Sequence, residues 1–357
     1  MSILLHLQVC LSVFGVIISV LLVNEVAALG GVIRPYNFSR TNTNVDANAQ
    51  MMFLVPTASP VLTYHGGALL TRSSIRVHIL WYGAFSPAQQ AAITDFVASF
   101  SGGAAAAGAQ SPSVFSWWRN IAGLYRDSSQ APAASSFKLG AVASDPSCSL
   151  MGKKLADSDL AILVSKSIST PGFLPKPSPA SSSSASASAI YAVFTAQDVL
   201  VEDFCMNSCG THSSSTVGAG AGGARVPFLW VGNPATQCTG LCAWPYAVPQ
   251  FGPPRPALSA PNGEAATDGM IINLALLLAG TVTNPFESGY FQGDASAPLE
   301  AGSSCQGIYG KGSYAGYPGQ LLQDKDSGVS YNAVGANNRR FLLPALWNPT
   351  TQSCQPL

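Results

Sequence analysis

Residues 76–100 read RVHILWYGAFSPAQQAAITDFVASF, and this stretch sets the fold class. Its first seven residues are dense in β-branched and aromatic side chains and predict a buried strand. Gly83 punctuates the run. Ser86-Pro87-Ala88 then supplies a helix start, with Ser at the N-cap and Pro at the first helical position. Ala91, Ile93, Phe96, Val97 and Phe100 share one side of the helix that follows. A strand, a turn and a one-sided helix in direct succession point to sheet and helices packed on a common core. The alternation continues outward. Residues 112–125 predict an aromatic-rich helix, and 160–164, 189–194 and 226–231 predict strands. Residues 268–280 predict a helix with Asp268 as its cap and Gly280 as its end. It is apolar on nearly every side and should be buried all round. Residues 281–357 read as short strands and turns. The expected fold is α/β or α+β: a single mixed-sheet core with packed helices, plus a loop-rich, disulfide-stapled C-terminal part.

Composition narrows the function classes. The chain has 357 residues, of which 47% are hydrophobic and only 10% charged. Lys+Arg and Asp+Glu both number 17, so the net charge is zero and no basic face for nucleic acid is expected. Sixteen Phe, 11 Tyr and 6 Trp argue against disorder. Residues 178–189 (Ser/Ala) and 216–225 (Gly/Ala) read as inserts.

Residues 1–28 carry a long apolar run ending in Val26-Ala27-Ala28, the pattern of a signal peptide cleaved after Ala28. The competing reading is an uncleaved anchor, because the run is long enough to cross a bilayer. With cleavage, no membrane association remains. Residues 29–60 form an extended N-terminal segment, and 61–357 the domain proper. Asn37-Phe38-Ser39 is a glycosylation sequon. Beyond the leader lie seven cysteines. Cys205, Cys209, Cys238, Cys242, Cys305 and Cys354 are disulfide candidates, and Cys148 is the odd thiol. Six cysteines allow 15 connectivities, among which spacing does not choose. Zinc is the lesser reading, since C-x-x-x-C departs from the common knuckle and only His212 is near.

Several motifs then agree at once: YHGGALLT at 64–71, VHILWYG at 77–83, EDFCMNSCGTH at 202–212, WVGNP at 230–234 and QCTGLCAWP at 237–245. APNG at 260–263, DGM at 268–270, GTVTNPF at 280–286, GYFQG at 289–293 and YGKG at 309–312 complete the set. In this order they resemble the plant EXORDIUM, or phosphate-induced protein 1, family over roughly residues 60–357. The resemblance implies a secreted protein of the apoplast or cell wall, tied to cell expansion and to brassinosteroid- and nutrient-responsive growth. It carries no catalytic residue with it.

The chemistry is read beside that resemblance. His78 lies inside a strand and is expected to be a packed, hydrogen-bonded core residue. His65 and His212 stand beside glycines and are read as loop residues, functional as ligands or acid/base groups or simply bonded to backbone. No G-x-S-x-G elbow is present, and Cys148 has no activating neighbours. The six tryptophans read first as core and second as sugar-stacking faces. The helix ending Thr283-Asn284-Pro285 is similar in shape to a zincin helix. Aligned on that ending, Leu276, Leu277 and Gly280 fall where ligands would stand, so the fold would be a degenerate zincin-like scaffold; the plainer reading is a core helix. No cofactor or metal is expected. The partner is expected to be an extracellular protein or a cell-wall glycan, bound without catalysis. The alternative is a hydrolase that modifies wall polysaccharide.

Overall fold

The computed structural model describes residues 32–33, 60–101, 111–178, 187–206, 208–218, 223–248, 256–295, 297–314 and 316–357. The leader at 1–28, the sequon at Asn37, nearly all of 29–60 and most of the Ser/Ala insert lie outside them.

In chain order the principal elements are β1 (Val32–Ile33), β2 (Ser74–Tyr82), α1 (Pro87–Ala98), α2 (Val114–Ala122), β3 (Ser136–Asp145) and α3 (Asp159–Ser169). There follow β4 (Ala189–Thr195), β5 (Gly210–Val217), β6 (Ala224–Gly232), α4 (Thr239–Cys242) and α5 (Ala265–Thr283). The six strands form one sheet in the order β1-β5-β6-β4-β2-β3. β3, β2, β4 and β6 run parallel, and β5 is antiparallel to β6 and to β1. The fold is therefore mixed α/β, as residues 76–100 predict. After Thr283 the chain is two- and three-residue strands, turns and short 3₁₀ segments.

β2 is buried from Val77 to Tyr82, and α1 begins as read: Ser86 accepts from Gln89 N–H while Gln89 Oε1 accepts from Ser86 N–H. Ala92, Ile93, Phe96 and Val97 turn its apolar side inward. Three expectations are corrected. Residues 160–164 lie in a helix, α3, and not a strand. Leu160, Leu163, Val164, Ser167 and Ile168 are buried while Ile162 is exposed, which is helical spacing. α5 starts at Ala265, so Asp268 is not its cap but lies one turn inside it, bonded to Asn262. Gly280 does not end that helix. It continues to Thr283, where Asn284 is the C-cap. β5 pairs with β6 from Gly210↔Val231 as far as Val217↔Ala224, so both ends of the Gly/Ala stretch lie in strands, while 219–222 fall outside the described residues.

His78 is buried in β2, and its Nδ1 accepts Ala141 N–H at 2.8 Å. The ring fills the shift in register between β2 and β3, and a Cβ at Gly140 would stand 2.5 Å from Nδ1. His212 reaches α5, while Ser215 Oγ donates to Ala161 of α3. An even and an odd position of one strand point to opposite faces, so α5 and α3 cover the two sides of β5. α5 is long and apolar enough to span a bilayer but is buried along almost its whole length, as a core helix should be. All six tryptophans are buried as well.

Candidate functional site

The sheet creates one crevice by its topology. From β2 the chain moves through α1 and α2 to β3 on one side. It then returns through α3 to β4 on the other side of β2. The loops leaving β2 and β4 diverge, and ligands of open parallel sheets sit in such a gap, outside the carboxyl ends of the strands. Gly83 makes the divergence close: its φ is +95°, and a Cβ there would lie 2.5 Å from that of Ala196. The crevice holds about 550 Å³ and is lined by Ala84, Ser86, Gln197, Asn233, Glu264 and Ala266, among others. Gln89 Nε2 donates to Glu264 Oε2, as does Thr267 Oγ1, which fixes the carboxylate at the mouth of α5. Its chemistry is that of amides, hydroxyls and one carboxylate.

The residues singled out in the sequence fall elsewhere. His65 is exposed. Its ring stacks on Phe291 with centroids 3.8 Å apart, and its Nε2 lies 3.2 Å from Phe291 O. His212 is not a loop residue but sits in β5, fully buried. Its Nε2 meets Glu300 Oε2 at 2.8 Å, and Asn284 Nδ2 donates to the other oxygen, Oε1, at 2.7 Å. Asn284 Oδ1 accepts Gly289 N–H. The cluster ties β5, the end of α5 and the chain after it into one sealed knot. A substrate could not reach it without displacing α5. His212 Nδ1 has no hydrogen-bond partner among the described residues. Glu300 was invisible in the sequence because it stands alone in a turn-rich stretch, 88 residues from its partner.

A second network joins two motifs around the buried Asp268. Asn262 of APNG donates through N–H and Nδ2 to the two oxygens of Asp268. Arg339 Nη1 donates to Asn262 Oδ1, and its Nε to Asp95. Burial pushes the Asp268 carboxyl up to about 7 against these hydrogen bonds and the nearby Arg339 charge. Burial also raises the Tyr246 phenol, with Asp268 adding to it.

The cysteines pair as Cys205–Cys238, Cys209–Cys242 and Cys305–Cys354. The first two clamp the segment before β5 to α4. Cys148 is free and buried, and burial followed by the Asp145 charge raises its thiol pKa, which keeps it from acting as a thiolate. Among the described residues no three His, Cys, Asp or Glu side chains converge as metal ligands.

With this geometry in view, comparison with known proteins defines a class. The family profile "Phosphate-induced protein 1 conserved region" matches residues 62–357. Protein EXORDIUM-like 1 of Arabidopsis thaliana is 45% identical over 295 residues, covering 82% of this chain and 89% of that protein. Protein EXORDIUM of the same plant is 45% identical over 305 residues, covering 85% and 91%. Protein PHOSPHATE-INDUCED 1 of Nicotiana tabacum is 45% identical over 299 residues, covering 83% and 88%. The chain belongs to the phosphate-induced protein 1, or EXORDIUM, family. No solved structure matches it, so the zincin comparison is not confirmed.

Proposed function

We propose that this is a secreted cell-wall or apoplast protein that promotes cell expansion, in brassinosteroid- and nutrient-responsive growth, by binding an extracellular partner without catalysis. The crevice at the carboxyl ends of β2, β4 and β6 carries this reading. It is open and polar, whereas the imidazole–carboxylate pair that could act as acid and base is sealed beneath α5. Three disulfides suit an oxidising compartment, as does the apolar leader. The ligand proposed for the crevice is a neutral wall glycan, because amides and hydroxyls match sugar hydroxyl groups.

The test uses protein secreted from plant cells. Its N-terminus should lie near Leu29, and retention of the full chain in membranes would refute secretion. On a glycan array, Gln197→Ala and Glu264→Ala should weaken binding. Release of sugar from wall polysaccharide that disappears with Glu264→Gln or His65→Ala, in variants that keep the melting temperature, would establish the hydrolase instead.

A further inference from the structure

A second cleft, of about 300 Å³, opens at the amino-terminal ends of β2, β4 and β6, at the other end of the sheet from the crevice. Among the described residues Arg76, His78, Lys176, Tyr191 and Arg225 line it, and no Asp or Glu does. In a chain with as many acids as bases this segregation is unusual. Arg76 also stands in register with Lys138 of the neighbouring parallel strand, so two cations lie side by side on one face. Like charges so placed destabilise a sheet unless an anion joins them. None of Arg76, Lys138, Lys176 and Arg225 forms an ion pair among the described residues, and all four are exposed.

The donors left open are specific. Arg225 Nε donates to Ser214 Oγ and its guanidinium covers the Phe286 ring, which holds its head on the α5 side of the sheet, opposite to Arg76, His78 and Tyr191. Tyr191 OH is spent on Pro175 O. Because His78 Nδ1 accepts from Ala141, the proton of its ring sits on Nε2. Burial and then the Arg76 charge push His78 down to about 4, so it is a neutral donor and not a further cation. Pro175, Pro177 and Pro227 supply apolar walls between the charged groups. Such a site suits a compact ligand with an oxyanion at one end and C–H faces elsewhere.

We propose that this cleft binds a sugar-sized oxyanion, with a carboxylate or phosphate group held between Arg76 and Lys176. The site is independent of the crevice, and the failure of either leaves the other standing.

Isothermal titration of the secreted protein with digalacturonate, inorganic phosphate and neutral cellobiose tests it. At least one anion should bind, more weakly as salt is raised, and cellobiose should not. Binding of digalacturonate assigns a carboxylate ligand, and binding of phosphate alone a phosphate ligand; either supports the site. Arg76→Gln with Lys176→Gln should weaken anion binding at least tenfold, while Lys325→Gln, on an exposed turn far along the chain, should not change it. Should the double variant fail to fold, Lys176→Gln alone, in a loop, serves in its place. Lys138→Gln should raise the melting temperature of the ligand-free protein by relieving the charge pair. Equal binding of cellobiose, no anion binding, or anion binding untouched by the charge removals would overturn the proposal.

Discussion

His212 and Glu300 meet at 2.8 Å directly against Gly280 of α5, where the absence of a side chain lets the pair approach the helix. A Cβ at Gly280 would stand 2.7 Å from His212 Nε2 and 2.9 Å from Glu300 Oε2. Helix, imidazole and carboxylate are thus mutually fitted, and glycine is there for close approach and not for a left-handed cap.

Gly280→Ala should therefore destabilise the protein by about 1–3 kcal/mol, despite the better helix propensity of alanine. His212→Ala should cost more, about 3–5 kcal/mol, because it strips a partner from a buried carboxylate. Glu300→Gln, which keeps an oxygen for Asn284 or His212, should be milder. Urea denaturation of the purified variants orders the three, and a neutral Gly280→Ala would refute the fit.

Asp268 and His78 should give opposite pH dependences. Burial raises the folded pKa of Asp268 to about 7 from the ordinary 3.8. Its contribution is full below the unfolded value and is lost as pH rises from about 4 to about 7. His78 has a folded pKa lowered to about 4 from 6.5, so its contribution is present above 6.5 and is lost as pH falls toward 4. Between those limits the slopes oppose each other. Asp268→Asn should leave stability rising with pH across this window, and His78→Gln should leave it falling. Melting temperatures measured from pH 4 to 7 read both signs, and parallel profiles for the two variants would contradict the assignment.

The disulfides Cys205–Cys238 and Cys209–Cys242 each span 33 residues and close nearly the same loop. With one intact, the other closes only a small remaining ring. Removing either alone should cost about 3 kcal/mol, and removing both about 6. Cys305–Cys354 spans 49 residues alone and should cost about 4 kcal/mol. Peptide mapping without reduction checks the connectivity, and alkylation should find only Cys148 free after unfolding.

Packing of α5 offers a simpler test. Leu277 is fully buried, and its Cδ1 lies against the backbone of β5 at Gly210. Leu277→Ala should cost about 2–5 kcal/mol through lost transfer energy and a cavity. Chelator should leave the melting temperature unchanged. A chelator-sensitive fold would mean that a metal site exists after all.

Local signals served well where one element carried its own evidence. Ser86-Pro87, the apolar run of β2 and the all-round apolar α5 each state their structure within a dozen residues. They failed where the evidence is tertiary. β5 reads Gly-Thr-His-Ser-Ser-Ser-Thr-Val, with no hydrophobic alternation, yet Ser213, Ser214 and Ser215 are buried because helices lie on both faces. β3 is missed for the converse reason: much of it is exposed at the edge of the sheet. The run 160–164 is too short for period alone to separate strand from helix. Of the sites, His212 was found but not its setting. Glu300 comes into play through His212, and the local bonds of Asn262 and Glu264 gain their setting only from Arg339 and Gln89, all distant in sequence.

The pairing of β1 has a consequence for the order of events during synthesis. Val32 and Ile33 meet Thr211 and Gly210, and Ile33 O accepts Cys209 N–H. The partner of the earliest strand is thus made only after β2, β3 and β4 have emerged. Because a chain leaves the ribosome in order, the first strand must stay unsatisfied through much of translation, and it docks late, on a sheet whose parallel half is already built. The same contact sits beside Cys209, so the N-terminal strand and the Cys209–Cys242 bridge are completed at one place. Docking of the N-terminal strand and closure of this bridge would then be one step of maturation, with Cys305–Cys354 closing later and apart from it.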